Sequence, residues 1–427
     1  MLRNPDFSAS DGALPEHWAV WQPAAQAAGV QVQPVPEGLL MASPREPFCV
    51  GGVQQEVTGI VGGQAYAFTV ECLVHEVPYP YQAIGVRVDW LREGKLVDPA
   101  GRLVSGPTVT GEHAKFEDVL VAPEGADAAR ILLECHWLQG GTVTWQSASM
   151  APAEQPAPRR VKIGTVYLRP QNTTPEQNLE LWCDQIREAG RLGLDIVCLC
   201  EAMLSVGTGK SGIDVAEAIP GPATERLGQA AREAKVWVVA CLNERVGERV
   251  YNTGVLLDRQ GNVAGLYHKT HLPREEWRQG VTPGSEYPVF NTDFGTVAIQ
   301  ICYDWFFPEV VTAFAAQGAE IVFAPTWGTT FADKEGKAEG ETVFRVRARD
   351  NGVYMVPSVY DGSSMVIDPL GRILASSEGQ TGVFWAEVDL SEREPLWWVG
   401  HWRAIGPRDR MPYTYAPLVD PMQGPTY

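Results

Sequence analysis

The sequence predicts two domains of different class, an all-β sandwich followed by an α/β domain. Three observations carry this expectation. A chain of 427 residues is too long for one ordinary hydrophobic core. Its first 150 or so residues hold short alternating or β-branched runs with almost no helical periodicity. Beyond a Pro/Ala-rich stretch, strand-like runs begin to alternate with helical ones.

In the first part, residues 65–73, 83–90, 129–135 and 141–145 read as strands. Gly, Pro and Asp clusters at 58–63 and 123–126 punctuate them. Many short strands of this kind predict a β-sandwich of jelly-roll type over residues 1–150. Residues 151–160, Ala-Pro-Ala-Glu-Gln-Pro-Ala-Pro-Arg-Arg, read as an extended linker. The α/β part is expected to occupy 161–427. It opens with a strand at 161–166 and a helix ending near Gly190, with Thr174 as N-cap and Pro175 at the first helical position. A strand from 195 then ends at Glu201, a helix covers 223–234 and a strand covers 236–242. A hairpin turns at 258–262, and the run 263–268 ends at Lys269. The alternating run 296–301 ends at Cys302. A helix at 308–317, a strand at 320–325, a helix at 341–351 and strands at 352–357 and 364–372 complete the pattern.

Composition narrows the function classes. The chain is 45% hydrophobic and 20% charged, with no apolar run long enough to span a bilayer, as expected of a soluble globular protein. A net charge of −18 argues against nucleic acid or an anionic membrane as partner. The segment Met1–Phe7 lacks the apolar stretch of a signal peptide, so a cytoplasmic location is expected. Eight cysteines are scattered, and Cys198 and Cys200, two apart on one strand face, do not suit a disulfide. There is no CxxC, and the seven histidines do not fall at ligand spacings. Reduced thiols and no metal or other cofactor are therefore expected.

Three strand-like runs end on a carboxylate (Glu201), an ammonium (Lys269) and a thiol (Cys302). Sites in open α/β sheets lie at the carboxyl ends of strands. Thiol-dependent acyl transfer needs these groups: a nucleophile, a proton carrier and a positive group at the oxyanion. Cys302 would attack, Glu201 would carry the proton, and Lys269 with the backbone N–H of Tyr303 would hold the oxyanion. An adjacent ammonium should also favour the thiolate. Singly, each residue is ordinary, since a strand-end cysteine is usually packing and a lone Glu or Lys is usually solvated. The set, not any member, points to chemistry.

The wording around these residues resembles the carbon–nitrogen hydrolase (nitrilase) superfamily across 161–425. The carrying segments are Asp195-Ile-Val-Cys-Leu-Cys-Glu201, Tyr267-His-Lys-Thr-His-Leu-Pro273 and Gly295-Thr-Val-Ala-Ile-Gln-Ile-Cys-Tyr-Asp-Trp-Phe-Phe-Pro-Glu309. Thr282-Pro-Gly284, Pro288-Val-Phe290, Arg347–Tyr354 and Ile367–Gly371 support them. The resemblance implies an αββα four-layer sandwich and a Glu201–Lys269–Cys302 triad. It also implies a second glutamate near the lysine, either Glu275 or Glu276. Glu276 is favoured because it directly precedes the Trp277 stretch. Nitrile hydrolysers resemble one another in Cys-Trp-Glu, whereas Cys302-Tyr303-Asp304 looks like the amidase and carbamoylase branches. A small-molecule amide, or alternatively an N-carbamoyl amino acid or β-ureido acid, is the implied substrate, with ammonia or an amine released. An acyltransferase is a further possibility, because an amine can take the acyl group in place of water.

A carbamoyl substrate would call for an arginine at its carboxylate, and Arg274, Arg278 and Arg345 are available. Tyr303 and Trp327 are expected at the substrate, while Trp305 and Phe306 suit either an acyl pocket or core packing. His271 invites a papain-like Cys–His pair, but no matching Asn/Asp signature accompanies it. Residues 1–150 resemble galactose-binding-like jelly rolls in Asn4-Pro-Asp-Phe7, Leu14-Pro-Glu-His-Trp18 and Thr142-Val-Thr-Trp145. The resemblance implies either a glycan-recruiting module or a wall that covers or assembles the hydrolase. Asp6 and Glu16 are too little for a calcium site. A contrasting reading is a carbohydrate-binding or scaffolding protein with a weakly active hydrolase-like body. The aromatic tail, Trp397–Trp402 and Pro412–Tyr415, would be costly to expose, and relatives pair through such segments, so at least a homodimer is expected.

Overall fold

Two stretches of opposite grammar fold into two units. The computed structural model describes all residues except 9–12, 26–28, 44–47, 330–338, 393, 397 and 421–427. One unit is Met1–Ala157 with Arg393–Tyr427, and the other is Pro158–Glu392.

The first unit begins with β1 (Ala19–Trp21), β2 (Gln31–Val35), β3 (Gly38–Ala42), β4 (Cys49–Thr58) and β5 (Ala65–His75). A helical turn, α1 (Pro80–Ala83), leads to β6 (Ile84–Arg92), β7 (Lys95–Leu96), β8 (Arg102–Leu103) and β9 (Thr108–Thr110). The long strands β10 (His113–Val121), β11 (Ala128–Leu138) and β12 (Thr142–Ala153) follow. One sheet runs β1-β4-β11-β6-β7 with β8 also on β6, and the other runs β2-β3-β12-β5-β10-β9. Their ladders are antiparallel. Alternation does the sorting: Phe68, Val70 and Cys72 of β5 turn inward, as do Ile131, Leu133 and Cys135 of β11. They join one core with Trp90 and Trp145. Each fully buried Val, Leu or Phe there contributes about 1.5–3 kcal/mol.

The second unit starts with β13 (Arg160–Tyr167), α2 (Pro175–Arg191), β14 (Ile196–Cys198), α3 (Pro222–Ala234) and β15 (Trp237–Val246). Next come β16 (Arg249–Leu257), β17 (Val263–His268), α4 (Arg274–Arg278), β18 (Phe290–Asn291) and β19 (Thr296–Ile299). A 3-10 turn (Cys302–Phe306) leads to α5 (Pro308–Ala316), β20 (Ile321–Gly328) and α6 (Glu339–Asn351). The unit closes with β21 (Tyr354–Asp361), β22 (Met365–Ile367), β23 (Ile373–Ser376) and β24 (Gly382–Asp389). One sheet is β17-β16-β15-β14-β13-β24 and the other β18-β19-β20-β21-β22-β23. Each has a parallel centre, β13-β14-β15 or β19-β20-β21, and antiparallel flanks.

Helix α2 starts as its residues dictate. Thr174 Oγ1 accepts from Gln177 N–H, and Gln177 Oε1 accepts from Thr174 N–H, closing a capping box ahead of Pro175. Trp182, Cys183, Ile186 and Ala189 fall on one buried face. With α3 they cover Val197, Leu199, Val238 and Ala240 of the first sheet. The alternate residues Ile196, Cys198, Val239 and Cys241 share a cluster with Val297, Ile299, Ile321 and Phe323 of the second sheet. Gly254 allows this approach, since a Cβ there would lie 2.6 Å from Ile299 Cγ2. Helices α5 and α6 add Val310, Phe314, Phe344 and Ala348 to the same cluster.

The structure departs from expectation in four places. The linker expected at 151–160 narrows to 154–159, because β12 runs on to Ala153 and β13 begins at Arg160. The strands serving the site stop short: β14 ends at Cys198 and β19 at Ile299, so Glu201 and Cys302 lie in the turns that follow. Cys198 and Cys200 consequently do not share a face. Cys198 packs between the sheets, whereas Cys200 belongs to the helix-side cluster, with Sγ 3.3 Å from Ser358 Oγ. Finally, residues beyond 392 group with the β-sandwich rather than with the 161–392 body. Helices α7 (Trp402–Asp409) and α8 (Ala416–Val419) belong to that segment. The physical cause is Arg408, 6% exposed, which donates to the carbonyls of Tyr81, Ile84 and Gly106 and lies 4.6 Å from the Tyr81 ring centre. Trp397, part of the expected aromatic tail, lies outside the described residues. Among the described residues, no helix is long and apolar enough to cross a membrane.

Candidate active site

The carboxyl ends of β14, β17 and β19 bring together the three residues singled out in the sequence. Lys269 follows β17, its N–H donating to Asn252 O of β16 at 2.9 Å. Its side chain is fully buried, and Nζ lies 2.9 Å from Glu201 Oε1 and 2.5 Å from Glu276 Oε1. Glu276 sits on α4 facing this ammonium, while Glu275 is exposed.

Asn252, unremarked in the sequence, holds the carboxylates in place. Its Nδ2 donates to Glu201 Oε1 at 2.9 Å and to Glu276 Oε2 at 3.4 Å, while its Oδ1 accepts from the Cys241 thiol at 3.2 Å. The Glu201 carbonyl accepts from Tyr360 Oη at 2.6 Å. The turn behind Glu201 passes through Ala202 at φ 50.

Cys302 begins the 3-10 turn at φ 41, a left-handed conformation uncommon for a residue with a Cβ. Glu201, Lys269 and the backbone N–H of Trp327 all act electrostatically on the thiol. Burial pushes the thiol pKa up, the Glu201 charge adds to that, and Lys269 pulls the other way without prevailing. The ammonium thus acts on the thiol in the expected direction, against the larger effect of burial. For Lys269, burial alone would lower the pKa, but Glu201, Cys302 and Glu276 reverse it and the net shift is upward. The ammonium stays charged. Burial also raises the Glu276 carboxyl, with Lys269 opposing.

Asp304 is the hinge pin beneath the nucleophile. Fully buried, it accepts from Tyr267 Oη (2.7 Å), Ile301 N (2.9 Å), His271 N (3.0 Å) and Thr270 Oγ1 (3.1 Å). It thereby ties the segment after Lys269 to the turn carrying Cys302. His271 Nδ1 lies 2.9 Å from the same carboxylate and its ring stacks 3.8 Å from Phe307, an arrangement that occupies it structurally rather than pairing it with Cys302.

The substrate-side residues divide. Trp327, 45% exposed at the end of β20, meets Tyr360 edge-on at 5.5 Å. Tyr303 packs its ring against Phe306 and Phe307, and its backbone N–H lies at the start of the 3-10 turn, where such groups lack intrahelical acceptors. Trp305 is core, 3% exposed and 5.8 Å from Phe344, while Phe306 remains 41% exposed. Arg274 and Arg278 are exposed on α4. Arg345 donates to Gly371 O at 2.9 Å and lies 3.6 Å from Glu341.

A partly buried thiol with a buried carboxylate and ammonium, just beyond the ends of three strands, is what a nucleophilic hydrolase of the α/β class requires. Comparison with known proteins takes this further. Residues 162–396 match the carbon–nitrogen hydrolase family. Omega-amidase NIT2 of Xenopus tropicalis is 30% identical over 233 residues, which span 50% of this chain and 83% of that protein. Human deaminated glutathione amidase is 30% identical over 273 residues, 56% of this chain and 82% of its own. A carbon–nitrogen hydrolase structure from Helicobacter pylori G27 shares the fold at TM-score 0.51 and 21% identity, covering 61% of this chain and 98% of that one. The chain belongs to the carbon–nitrogen hydrolase family.

Proposed function

We propose that Cys302, Glu201, Lys269 and Glu276 perform the chemistry of this hydrolase, with Tyr303 and Trp327 at the substrate. The reaction is cysteine-dependent hydrolysis of an amide carbon–nitrogen bond through an acyl-thioester. One observation carries the assignment of residues: Glu201 lies 2.9 Å from the Lys269 ammonium, and the charges of both act on the Cys302 thiol. As Cys302 Sγ attacks the carbonyl carbon, its proton passes to Glu201, and the carbonyl oxygen gains the charge that Lys269 and the Tyr303 N–H stabilise. Glu201 returns the proton to the departing ammonia or amine as the C–N bond breaks. It then takes a proton from water, which attacks the thioester; the C–S bond breaks, the acid leaves, and Glu201 returns the proton to the Cys302 sulfur. Glu276, with Asn252, keeps the Lys269 ammonium aimed at the reacting carbonyl.

The acyl donor we favour is a small linear amide, in keeping with the omega-amidase and amidase relatives. Arg345, engaged by Gly371 and Glu341, favours this over a carbamoyl substrate needing a carboxylate clamp. The layering supports an αββα sandwich for the hydrolase unit and a jelly roll for the β-unit. Pairing into a homodimer is part of the same reading, and a monomer mass by light scattering would overturn it. The central experiment is Cys302→Ala assayed for ammonia release across small amides. A loss of about 10⁴-fold or more is expected from removal of a nucleophile; an unchanged rate would refute the assignment.

A further inference from the structure

Glu201, the proton carrier of the proposed reaction, lies beyond the end of its own strand. Strand β14 stops at Cys198, and the nearest ladder bonds fall on either side of Glu201. Leu199 N–H donates to Val239 O at 2.8 Å, and Met203 N–H donates to Cys241 O at 3.2 Å. Between them Ala202 takes φ 50, a left-handed conformation that a residue with a Cβ keeps only where its surroundings impose it. A donor from the second sheet meets this turn. Tyr360 of β21 is fully buried, and its Oη donates to the Glu201 carbonyl at 2.6 Å. We propose that, with Glu201 as the proton carrier of that reading, Tyr360 is a positioning residue for the hydrolysis, a strut that sets where the Glu201 carboxylate stands.

The same strand ties the residue before Glu201. Ser358, on the Tyr360 face of β21, donates to Val166 O at 2.7 Å, which leaves its oxygen to accept from the Cys200 thiol 3.3 Å away. Residues 200 and 201 are thus anchored in turn to residues 358 and 360. Trp182 Nε1 holds the far end of the turn, donating to Met203 O at 3.0 Å. The Tyr360 ring meets Trp182 at 6.1 Å and Trp327 at 5.5 Å between ring centres, and this close packing keeps the phenol from swinging away.

The chemistry of the phenol suits the role. Burial pushes the Tyr360 pKa well above the ordinary tyrosine range, so the group keeps its proton and remains a donor at any working pH. Glu201 Oε1 accepts from both Lys269 Nζ and Asn252 Nδ2 at 2.9 Å, so a shift of the Glu201 backbone would disturb the whole set. The ring also touches Trp327, whose backbone N–H acts on the Cys302 thiol. One buried phenol therefore adjoins both the turn carrying the base and the residue expected at the substrate. A displacement of about 1 Å at a reacting group can cost ~10²-fold in rate, and cutting the strut should produce part of that loss.

Tyr360→Phe in the full chain tests this, because it removes the donor and leaves the ring packing in place. Circular dichroism confirms that the variant folds, and rates are normalised to Cys302 titrated with iodoacetamide. For a small amide, kcat should fall about tenfold while KM changes by less than about twofold, since the Glu201 carbonyl does not touch substrate. Acylation by the p-nitrophenyl ester of the same acid, whose leaving group departs without a proton, should fall by no more than about threefold. An unchanged amide rate in the folded variant, or equal losses on amide and ester, would overturn the strut. A wild-type chain inactive on every amide would instead overturn the hydrolase reading, and the strut with it.

Discussion

Both units bury a cation, and they use it in opposite ways. In the hydrolase unit, Lys269 is enclosed by two carboxylates that can themselves exchange protons, with a thiol beside them. In the β-unit, Arg408 is held mainly by backbone carbonyls, and its guanidinium does not titrate at any working pH. In the proposed function, the first arrangement sets a proton carrier and a fixed charge beside the nucleophile. The second spends its charge on fastening residues beyond 392 to the sandwich. Buried charge alone is therefore no sign of catalysis; titratable partners beside a reactive atom are.

The sharpest way to break this contrast is Lys269→Met, which leaves Glu201 and Glu276 buried with no cation between them. A loss of about 3–5 kcal/mol in denaturant unfolding is expected, with amide hydrolysis abolished. The raised Lys269 pKa sets the sign with pH. Its contribution is fully present below the ordinary lysine value of 10.5 and fades only as pH rises through the higher folded-state value. The deficit of the variant should hold from neutrality past pH 10; a deficit already shrinking at pH 8 would refute the pairing. Arg408→Met should cost less, roughly 2–3 kcal/mol for carbonyls left unpaired. Limited proteolysis should then cut faster after residue 392, and an unchanged cleavage pattern would deny the fastening role. The smallest effect concerns Cys302. Because its thiol pKa is raised, iodoacetamide labelling should keep accelerating above pH 9, where an ordinary thiol with pKa about 8.5 levels off. A plateau near neutrality would mean that Lys269 outweighs burial and Glu201.

Sequence grammar reveals some of this site and hides the rest for identifiable reasons. Glu201, Lys269 and Cys302 stand out because alternating apolar runs stop at them, and α2 is visible from Thr174-Pro175. Asn252 carries no such mark. It sits mid-strand in β16, and its contacts exist only because β15 and β17 flank it in one register. Asp304 lies in a recognisable motif, yet its binding of Tyr267, Thr270 and His271 is a long-range event. Glu275 and Glu276 are adjacent, and about 100° of helical rotation on α4 decides which one reaches Lys269.

By itself, the sequence determined the change from all-β to α/β architecture, the helix starts and the three residues that approach one another. Those depend on periodicity and capping, which are local. Only the tertiary structure decided which glutamate faces the lysine, that burial pushes the thiol pKa up, where the C-terminal segment packs and that the β-unit holds a cavity. Each of those depends on the register and spacing of strands far apart in the chain, and on the burial they create. No local pattern of residues encodes them.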